Sequence, residues 1–473
     1  MNIKGYYLLF IAGLFSVIVI PFFMPYGGLV GDSHHYFRLA HYFPEVKWSI
    51  FPLGYPFLIK LFYSITGDYF FAARLINIFC YLAIGVFSYY KGFFFKETVI
   101  LLCTKIFFYI FFLTLPEGLF LTLMYFLFYF FYTYFKGNIV TWRFAIWASV
   151  ITFCLFTIRY TGLYIYFSIG LFYLIRYFKI KPFRILLKDG FFLYLLISGI
   201  LILGYIIFNY INFGDFMGEK FRNPSDVELF GPVFYHQIIS IFNSFNPLFG
   251  IKFWIITAFT AIAEIVFFVM NVLFLLYTLK LLKRNRREDD RFSDFYSMLF
   301  LLGLVYAILM FVSTFFQGIE ALHVRTLCEA SLCFFIVLIF LYYKYNLNEK
   351  LIFSLAVFSL IFNSLYTVKV PGNFLESREK VKEALGSFKN KKYFLNNSTG
   401  KQEKTVYRIP LINKEFSWTH DNIQSGHING YIVYSLNPEI DMIERDTARK
   451  SETLYNTDLE QVIEKQNFKS RHK

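Results

Sequence analysis

Charged residues are scarce in this chain. Asp, Glu, Lys and Arg make up 16% of its 473 residues, whereas 57% are hydrophobic. A soluble domain of this length could not bury so much apolar surface, because single cores stop growing near this size. The composition therefore excludes an ordinary soluble protein and predicts an integral membrane protein.

Cysteine is also scarce, and its spacing is irregular. The five cysteines lie singly in apolar segments, whereas disulfide frameworks and zinc sites use closely spaced pairs. We interpret them as small core residues. No small-residue cleavage site follows the first apolar run, so we expect residues 1–27 to be retained as a membrane span.

Basic residues outnumber acidic ones and give a formal net charge of +14. They concentrate in short segments between apolar runs, such as "YYKGFFFKE" and "KLLKRNRREDDR", and these basic loops alternate with the other loops. This is the positive-inside pattern, which reports orientation rather than a nucleic-acid partner. It predicts a cytoplasmic N-terminus and a C-terminus outside the cytoplasm.

Apolar runs of about 18–25 residues are long enough to cross a ~30 Å hydrocarbon layer as helices. The fold class predicted is an all-α polytopic membrane protein with about eleven spans in residues 1–370, followed by a small α/β domain outside the cytoplasm in 371–473. The predicted spans are 7–27, 69–90, 99–116, 118–135, 142–159, 162–178, 190–211, 251–280, 296–316, 328–345 and 350–369.

Two loops between spans are predicted to lie on the outer face, at about 28–68 and 212–250. Within the first, "GYPFLIKLFYSITG" is too short to span and has the pattern of a helix in the membrane interface. Lys105 falls inside the predicted third span. We expect it to snorkel towards the cytoplasm.

Two acids stand at the predicted outer rim. Asp32 follows the first span in "GLVGDSHHYF", and Glu117 opens the fourth in "LPEGLF". A carboxylate at the edge of the bilayer can act as a general base. The alternatives are a solvated loop acid at Asp32 and a helix-capping acid at Glu117, which the helix dipole favours.

Arginines occur at the ends of three predicted spans. Arg159 lies in "FTIRYTG", Arg325 in "LHVRTLC" and Arg74 in "FAARLIN". Arginine in an apolar context usually faces a partner or a polar cavity, and its planar guanidinium suits a phosphate oxyanion. The alternative is that these side chains snorkel to the interface.

The histidines beside Asp32 would offer metal ligands together with Glu117. However, adjacent His34 and His35 point to different sides of a helix, and no H-x-x-x-H or H-E-x-x-H spacing occurs. We therefore predict no metal and no other cofactor. We predict instead that five residues contact the substrate: His34, His35, Tyr36, Tyr160 and His323.

The order of these segments resembles a known superfamily. A first span, an outer loop with Gly-Asp-x-x-x-Tyr at 31–36 and "LGYPFLIKLFYSITGD", then "LPEGLFLTLMYF", "TIRYTGLYIYF" and "HVRTLCEASLCFF", are similar to the GT-C membrane glycosyltransferases. The likeness is to the protein O-mannosyltransferase and lipid A aminoarabinose transferase branches. It covers roughly residues 1–345, and the order and sidedness of the motifs carry it.

The resemblance implies an enzyme that transfers a sugar from a polyprenyl-phosphate donor to a glycan, lipid or protein acceptor at the outer face of the membrane. It implies Asp32 as catalytic base, Glu117 as a second acid, and Arg159 and Arg325 as contacts of the lipid phosphate. No D-x-D occurs in the first loop, which departs from metal-dependent members. With the Lys-, Asn-, Ile- and Phe-rich composition, we expect a bacterial cytoplasmic membrane.

Two other function classes stay open at this point. An O-antigen polymerase or ligase also uses polyprenyl-linked sugars and has a large outer loop, which 212–250 would fit. A multi-spanning transporter or lipid flippase would place its polar residues and broken helices near mid-membrane. In this sequence the unusual polar residues fall at the predicted outer rim.

Overall fold

The structure is a computed structural model with defined side chains for most of the chain. It describes residues 3–24, 27–46, 49–176, 188–219, 222, 225, 227, 231–249, 258–288, 290–318, 321–345, 347–369 and 371–376. Three short strands are also described in the tail, at 394–395, 406–409 and 414–416.

Helices make up almost all of this part of the chain. In chain order they are α1 Ile3–Val19 (continued by a 3-10 turn, Ile20–Phe23), α2 Gly31–Tyr42, α3 Gly54–Thr66, α4 Tyr69–Tyr90, α5 Phe95–Leu102, α6 Lys105–Phe112, α7 Glu117–Phe135, α8 Thr141–Ile158, α9 Gly162–Arg176, α10 Gly190–Phe213, α11 Pro232–Asn243, α12 Ala258–Glu288, α13 Asp290–Ser313, α14 Cys328–Lys344 and α15 Glu349–Thr367.

Eight of the described helices are long and apolar enough to cross a membrane. The chain is therefore a helical, multi-pass membrane protein, as its composition predicts. The number of eleven spans stays a prediction. The qualifying segments are Ile3–Phe23, Tyr69–Tyr90, Glu117–Phe135, Thr141–Ile158, Gly190–Phe213, Ile262–Glu288, Ser293–Ser313 and Glu349–Thr367.

The predicted third span, 99–116, is not one helix. It forms α5 and α6, eight residues each, with a break at Cys103 and Thr104. The Thr104 hydroxyl donates to the Leu101 carbonyl at 2.7 Å, and the Lys105 N–H donates to the Pro247 carbonyl at 2.9 Å. A carbonyl from a distant segment thus takes the amide that would have continued the first helix.

The predicted outer loop at 212–250 also differs from expectation. Residues 243–249 pack among α6, α12, α14 and α15 instead of remaining at the surface. Phe245 stacks on Phe334 with ring centroids 4.2 Å apart, and the Leu248 carbonyl accepts from Asn363 Nδ2 at 3.0 Å. Irregular backbone is tolerated among spans only where protein or a polar cavity surrounds it.

The basic ends of the helices meet at one end of the bundle. Lys96 Nζ is 3.0 Å from Glu349 Oε1, and Arg176 Nε is 3.0 Å from Asp294 Oδ1. The Tyr6 hydroxyl lies 2.7 Å from that of Tyr343 near the end of α14. These contacts join basic loops that the charge alternation predicts to lie on the same side of the membrane. That this side is the cytoplasmic one stays a prediction.

The helix α3 has the two faces expected of an interfacial helix. Tyr55 and Ile59 are buried against the bundle, whereas Phe57, Leu61 and Ile65 are exposed at a spacing of four residues. An exposed apolar stripe of this kind suits the boundary between headgroups and hydrocarbon.

The helical part continues slightly past the predicted boundary at 370. The Gly372 N–H donates to the Phe23 carbonyl at 2.8 Å, and Phe374 is buried against Phe70. Farther on, β1 (Phe394–Leu395), β2 (Val406–Ile409) and β3 (Lys414–Phe416) form an antiparallel sheet in the order β1-β2-β3. Most of the predicted α/β domain lies outside the described residues.

Candidate functional site

Four of the residues singled out in the sequence come together in space, and a fifth joins them. Asp32 opens α2, Glu117 opens α7, Arg159 follows α8, Arg325 precedes α14, and Glu329 lies in the first turn of α14. We name this group the rim cluster: Asp32, Arg325, Glu117, Arg159 and Glu329.

Acids and bases alternate through the rim cluster. Arg325 Nη2 donates to Asp32 Oδ2 at 2.8 Å, and Arg325 Nε lies 3.7 Å from Glu117 Oε1. The same Glu117 oxygen lies 3.7 Å from Arg159 Nη2, and Arg159 Nη1 donates to Glu329. Three carboxylates and two guanidiniums give a formal charge of −1.

Among the three carboxylates of the rim cluster, the exposed fraction of the side chain falls from Asp32 to Glu329. The Asp32 side chain is 36% exposed, that of Glu117 4%, and that of Glu329 0%. The two arginines between them are each 13% exposed. Asp32 is therefore the carboxylate of the cluster that is open to solvent, while Glu117 and Glu329 contact the arginines from the buried side.

The loop before Asp32 is fastened to the turn before Glu117. The Thr114 N–H donates to the Gly28 carbonyl at 2.9 Å, and the Thr114 hydroxyl donates to Ser33 Oγ at 3.0 Å. Gly28 has φ +82°, and a Cβ there would lie 1.9 Å from the Phe112 carbonyl oxygen. Only glycine allows this close approach, which brings the first turn of α2 to the start of α7.

Arg74 contacts the same turn before Glu117. Its guanidinium donates to the carbonyls of Phe111 at 2.9 Å and Phe112 at 3.1 Å, and also to Val17. Asn77 adds a bond from Nδ2 to the Leu113 carbonyl at 2.6 Å. These contacts give Arg74 a structural role in holding the turn before Glu117, and its assignment to a donor phosphate stays a prediction.

The predicted substrate contacts have different surroundings. Tyr36 is buried against Phe51, and burial, with Glu117 and Asp32 nearby, raises the pKa of its phenol well above the usual value. Its hydroxyl therefore stays protonated and can donate. His35 is exposed with its ring near Phe51. The side chain of His34 lies outside the described residues.

Two further predicted contacts lie in the turns around the rim cluster. The Tyr160 hydroxyl accepts from Asn209 Nδ2 at 3.1 Å. His323 Nδ1 lies 3.0 Å from the Ala321 carbonyl, and its ring meets Tyr109 edge-on. His41, expected at the interface, pairs with the Tyr69 hydroxyl at 3.2 Å.

Glu329 is the member of the rim cluster that the sequence argument overlooked. It stands four residues after Arg325 in "HVRTLCEASL", where the two residues share a helical spacing. The sequence feature that could have identified Glu329 is a lone carboxylate in the first turn of an apolar helix. Its burial requires a cationic partner, and Arg159 supplies it.

A carboxylate oxygen of the rim cluster has no hydrogen bond in the described part of the chain. Glu117 Oε2 is buried without a partner, although its other oxygen faces both arginines. A buried carboxylate oxygen in this state can accept a bond from a buried water. Among the described residues no set of three His, Cys, Asp or Glu side chains is placed to hold a metal ion.

Comparison of the chain with profiles of known protein families, with curated proteins and with solved structures finds no match.

Proposed function

We propose that this protein transfers a sugar from a polyprenyl-phosphate donor to an acceptor hydroxyl at the outer face of a bacterial cytoplasmic membrane, with Asp32 as general base. The observation that carries the proposal is the placement of Asp32. Its carboxylate is the exposed end of an otherwise buried set of charges, and Arg325 fixes its orientation at 2.8 Å.

The proposed reaction is a single displacement at C1 of the sugar. The acceptor oxygen attacks C1 of the sugar, the bond from C1 to the phosphate oxygen breaks, and the acceptor proton passes to the Asp32 carboxylate. The electron pair of the broken bond leaves with the lipid phosphate. Attack from the face opposite the phosphate inverts the anomeric centre. A positioned carboxylate contributes about 10²–10⁴-fold in such a step.

The buried members of the rim cluster suit a supporting role. Glu117 and Glu329 keep the two arginines charged and fixed. The Tyr36 phenol, protonated at neutral pH, supplies a donor close to the same acids.

The test is direct transfer by the purified protein in lipid nanodiscs. A panel of radiolabelled polyprenyl-phosphate hexoses and pentoses is offered with a membrane extract as acceptor, and label is followed into lipid, glycan and protein fractions. We expect transfer with at least one donor and none with Asp32→Asn. Transfer that persists in Asp32→Asn would remove this residue from catalysis.

A transporter or lipid flippase is the second candidate, and one observation favours it. The pair α5 and α6 is interrupted among the spans, with the buried Lys105 at the break. Discontinuous helices of this kind form substrate sites in transporters. In proteoliposomes, movement of a labelled lipid between leaflets without any new glycosidic bond would decide for this candidate over the enzyme.

A further inference from the structure

A small polar cavity lies beside the break between α5 and α6. About 30 Å³ of it is open to the centre of a water molecule, more than the ~10–15 Å³ that one water needs. Six of its eight lining residues have polar side chains, which carry hydroxyl, amide, imidazole and ammonium groups. We name it the interior cavity, lined by Lys105, Ser240, Asn243, Ser244, His323, Val324, Leu327 and Ser331.

Lys105 is the cation of this cavity, and it does not snorkel to the cytoplasm as the sequence led us to expect. The residue is 2% exposed. Its ammonium donates to the Asn243 carbonyl at 2.5 Å and to the Phe249 carbonyl at 3.4 Å. An ammonium has three donors, so one remains for a group inside the cavity.

No carboxylate in the described ranges forms an ion pair with Lys105. A buried charge without an opposite charge is costly, and carbonyl dipoles compensate it only in part. The rim cluster differs because its two arginines already face three carboxylates. Of the two regions, the interior cavity is therefore the one whose basic group faces no carboxylate among the described residues.

An apolar cavity lies on the other side of the same break. It has a volume of about 100 Å³, and Thr104 and Pro247, which neighbour the break, are among its lining residues. Its other walls are apolar side chains of α12, α14 and α15, including Phe274, Leu338 and Leu355. Its lining is therefore chemically suited to hydrocarbon.

We infer that the interior cavity is an anion-binding subsite in which Lys105 binds the phosphate group of a ligand. The chemistry is common to a free phosphate and to a lipid phosphate, and the neighbouring apolar cavity suits the hydrocarbon of a lipid. This inference does not depend on sugar transfer, because a flippase would need the same subsite. In this inference Lys105, rather than Arg159 and Arg325, contacts the phosphate.

The experiment measures binding to the full chain in nanodiscs of neutral lipid. One arm titrates inorganic phosphate, and the other titrates undecaprenyl phosphate followed by native mass spectrometry. We expect both to bind, the lipid more tightly, and Lys105→Met to weaken both by roughly ten- to a hundredfold, as for a lost charged hydrogen bond. Binding of phosphate without the lipid would keep the subsite and reject a lipid ligand.

Two controls keep this result interpretable. Lys60 also donates to a main-chain carbonyl, that of His41 at 3.3 Å, but lies in α3 away from the cavity, so Lys60→Met should bind normally. Asp32→Asn should bind normally too, which separates this subsite from the catalytic proposal. Unchanged affinity in Lys105→Met would overturn the inference.

If Lys105→Met folds poorly, uncharged substitutions in the cavity lining provide a second test. Ser331→Ala alters a wall of the cavity without touching a charge, and we expect a loss of a few-fold at most. Glu320 lies outside the described residues, and Glu320→Gln tests it as a partner of Lys105. Binding that improves in Glu320→Gln, with no dependence on Lys105, would assign Lys105 to a structural ion pair instead.

Discussion

Buried charge is compensated by different groups in the rim cluster and in the interior cavity. In the rim cluster five charged side chains neutralise one another almost completely, through contacts between 2.8 and 3.7 Å and the bond from Arg159 to Glu329. In the interior cavity one ammonium is held by backbone carbonyls. In the proposals above, the paired charges support proton transfer at Asp32, whereas the Lys105 ammonium, which has no carboxylate partner among the described residues, binds an anion.

Both regions form where helices are interrupted. The rim cluster lies at the N-terminal ends of α2, α7 and α14 and at the C-terminal end of α8, and the interior cavity lies at the break between α5 and α6. Interruptions free backbone groups and admit polar side chains among apolar helices. The difference between the regions therefore lies in which charges occupy the interruption, and variants of single charges can test it.

The largest effect is expected for Asp32→Asn. Loss of the only well-exposed carboxylate of the rim cluster should reduce sugar transfer by at least about a hundredfold, because a general base contributes 10²–10⁴-fold. Radiolabel transfer measures it. Glu45→Gln, an exposed acid of the same loop, is the matched control and should keep full activity. Equal losses in both variants would argue against a specific base.

Glu329→Ala should damage the fold itself. The change leaves Arg159 buried without its strongest partner, and breaking a buried ion pair costs about 3–5 kcal/mol in the free energy of unfolding. Unfolding in mixed micelles measures this loss. Lys96→Met breaks the pair of Lys96 and Glu349, whose side chains are 37% and 28% exposed, and should cost no more than about 1 kcal/mol. Similar losses would mean that burial does not govern these pairs.

Sequence reasoning located most of the rim cluster because its residues lie at helix ends, where alternation of the loops assigns sidedness. Asp32, Glu117, Arg159 and Arg325 were all reached this way. Glu329 was missed because it lies inside the apolar run, and its role depends on Arg159, which is 170 positions away.

The interior cavity could not be predicted for a related reason. Lys105 sits in an apolar stretch that has the composition of one continuous helix, and a lysine there is expected to snorkel. The break and the burial depend on carbonyls of residues 243–249, and Asn243 is 138 positions away. A local pattern contains no information about such a contact.

Gly28→Ala tests how the rim cluster is positioned. A Cβ at Gly28 would meet the Phe112 carbonyl at 1.9 Å, so the loop carrying Asp32 must move away from the turn before Glu117. We expect a loss of about 1–3 kcal/mol in stability and a larger fractional loss in transfer. Gly67→Ala is the control, since Gly67 has φ +64° and no atom within 4 Å of a Cβ. If both variants lose the same stability, backbone strain alone accounts for Gly28.

The smallest effect on stability is expected for Lys105→Met, and it separates the two regions most sharply. The variant removes a buried charge without leaving an opposite charge unpaired, so only its hydrogen bonds to carbonyls are lost, at about 1 kcal/mol or less after the relief of desolvation. Stability in mixed micelles should stay close to that of the unchanged protein while phosphate binding falls. A loss as large as that of Glu329→Ala would show that Lys105 belongs to a paired network like the rim cluster, and the contrast between the two regions would then disappear.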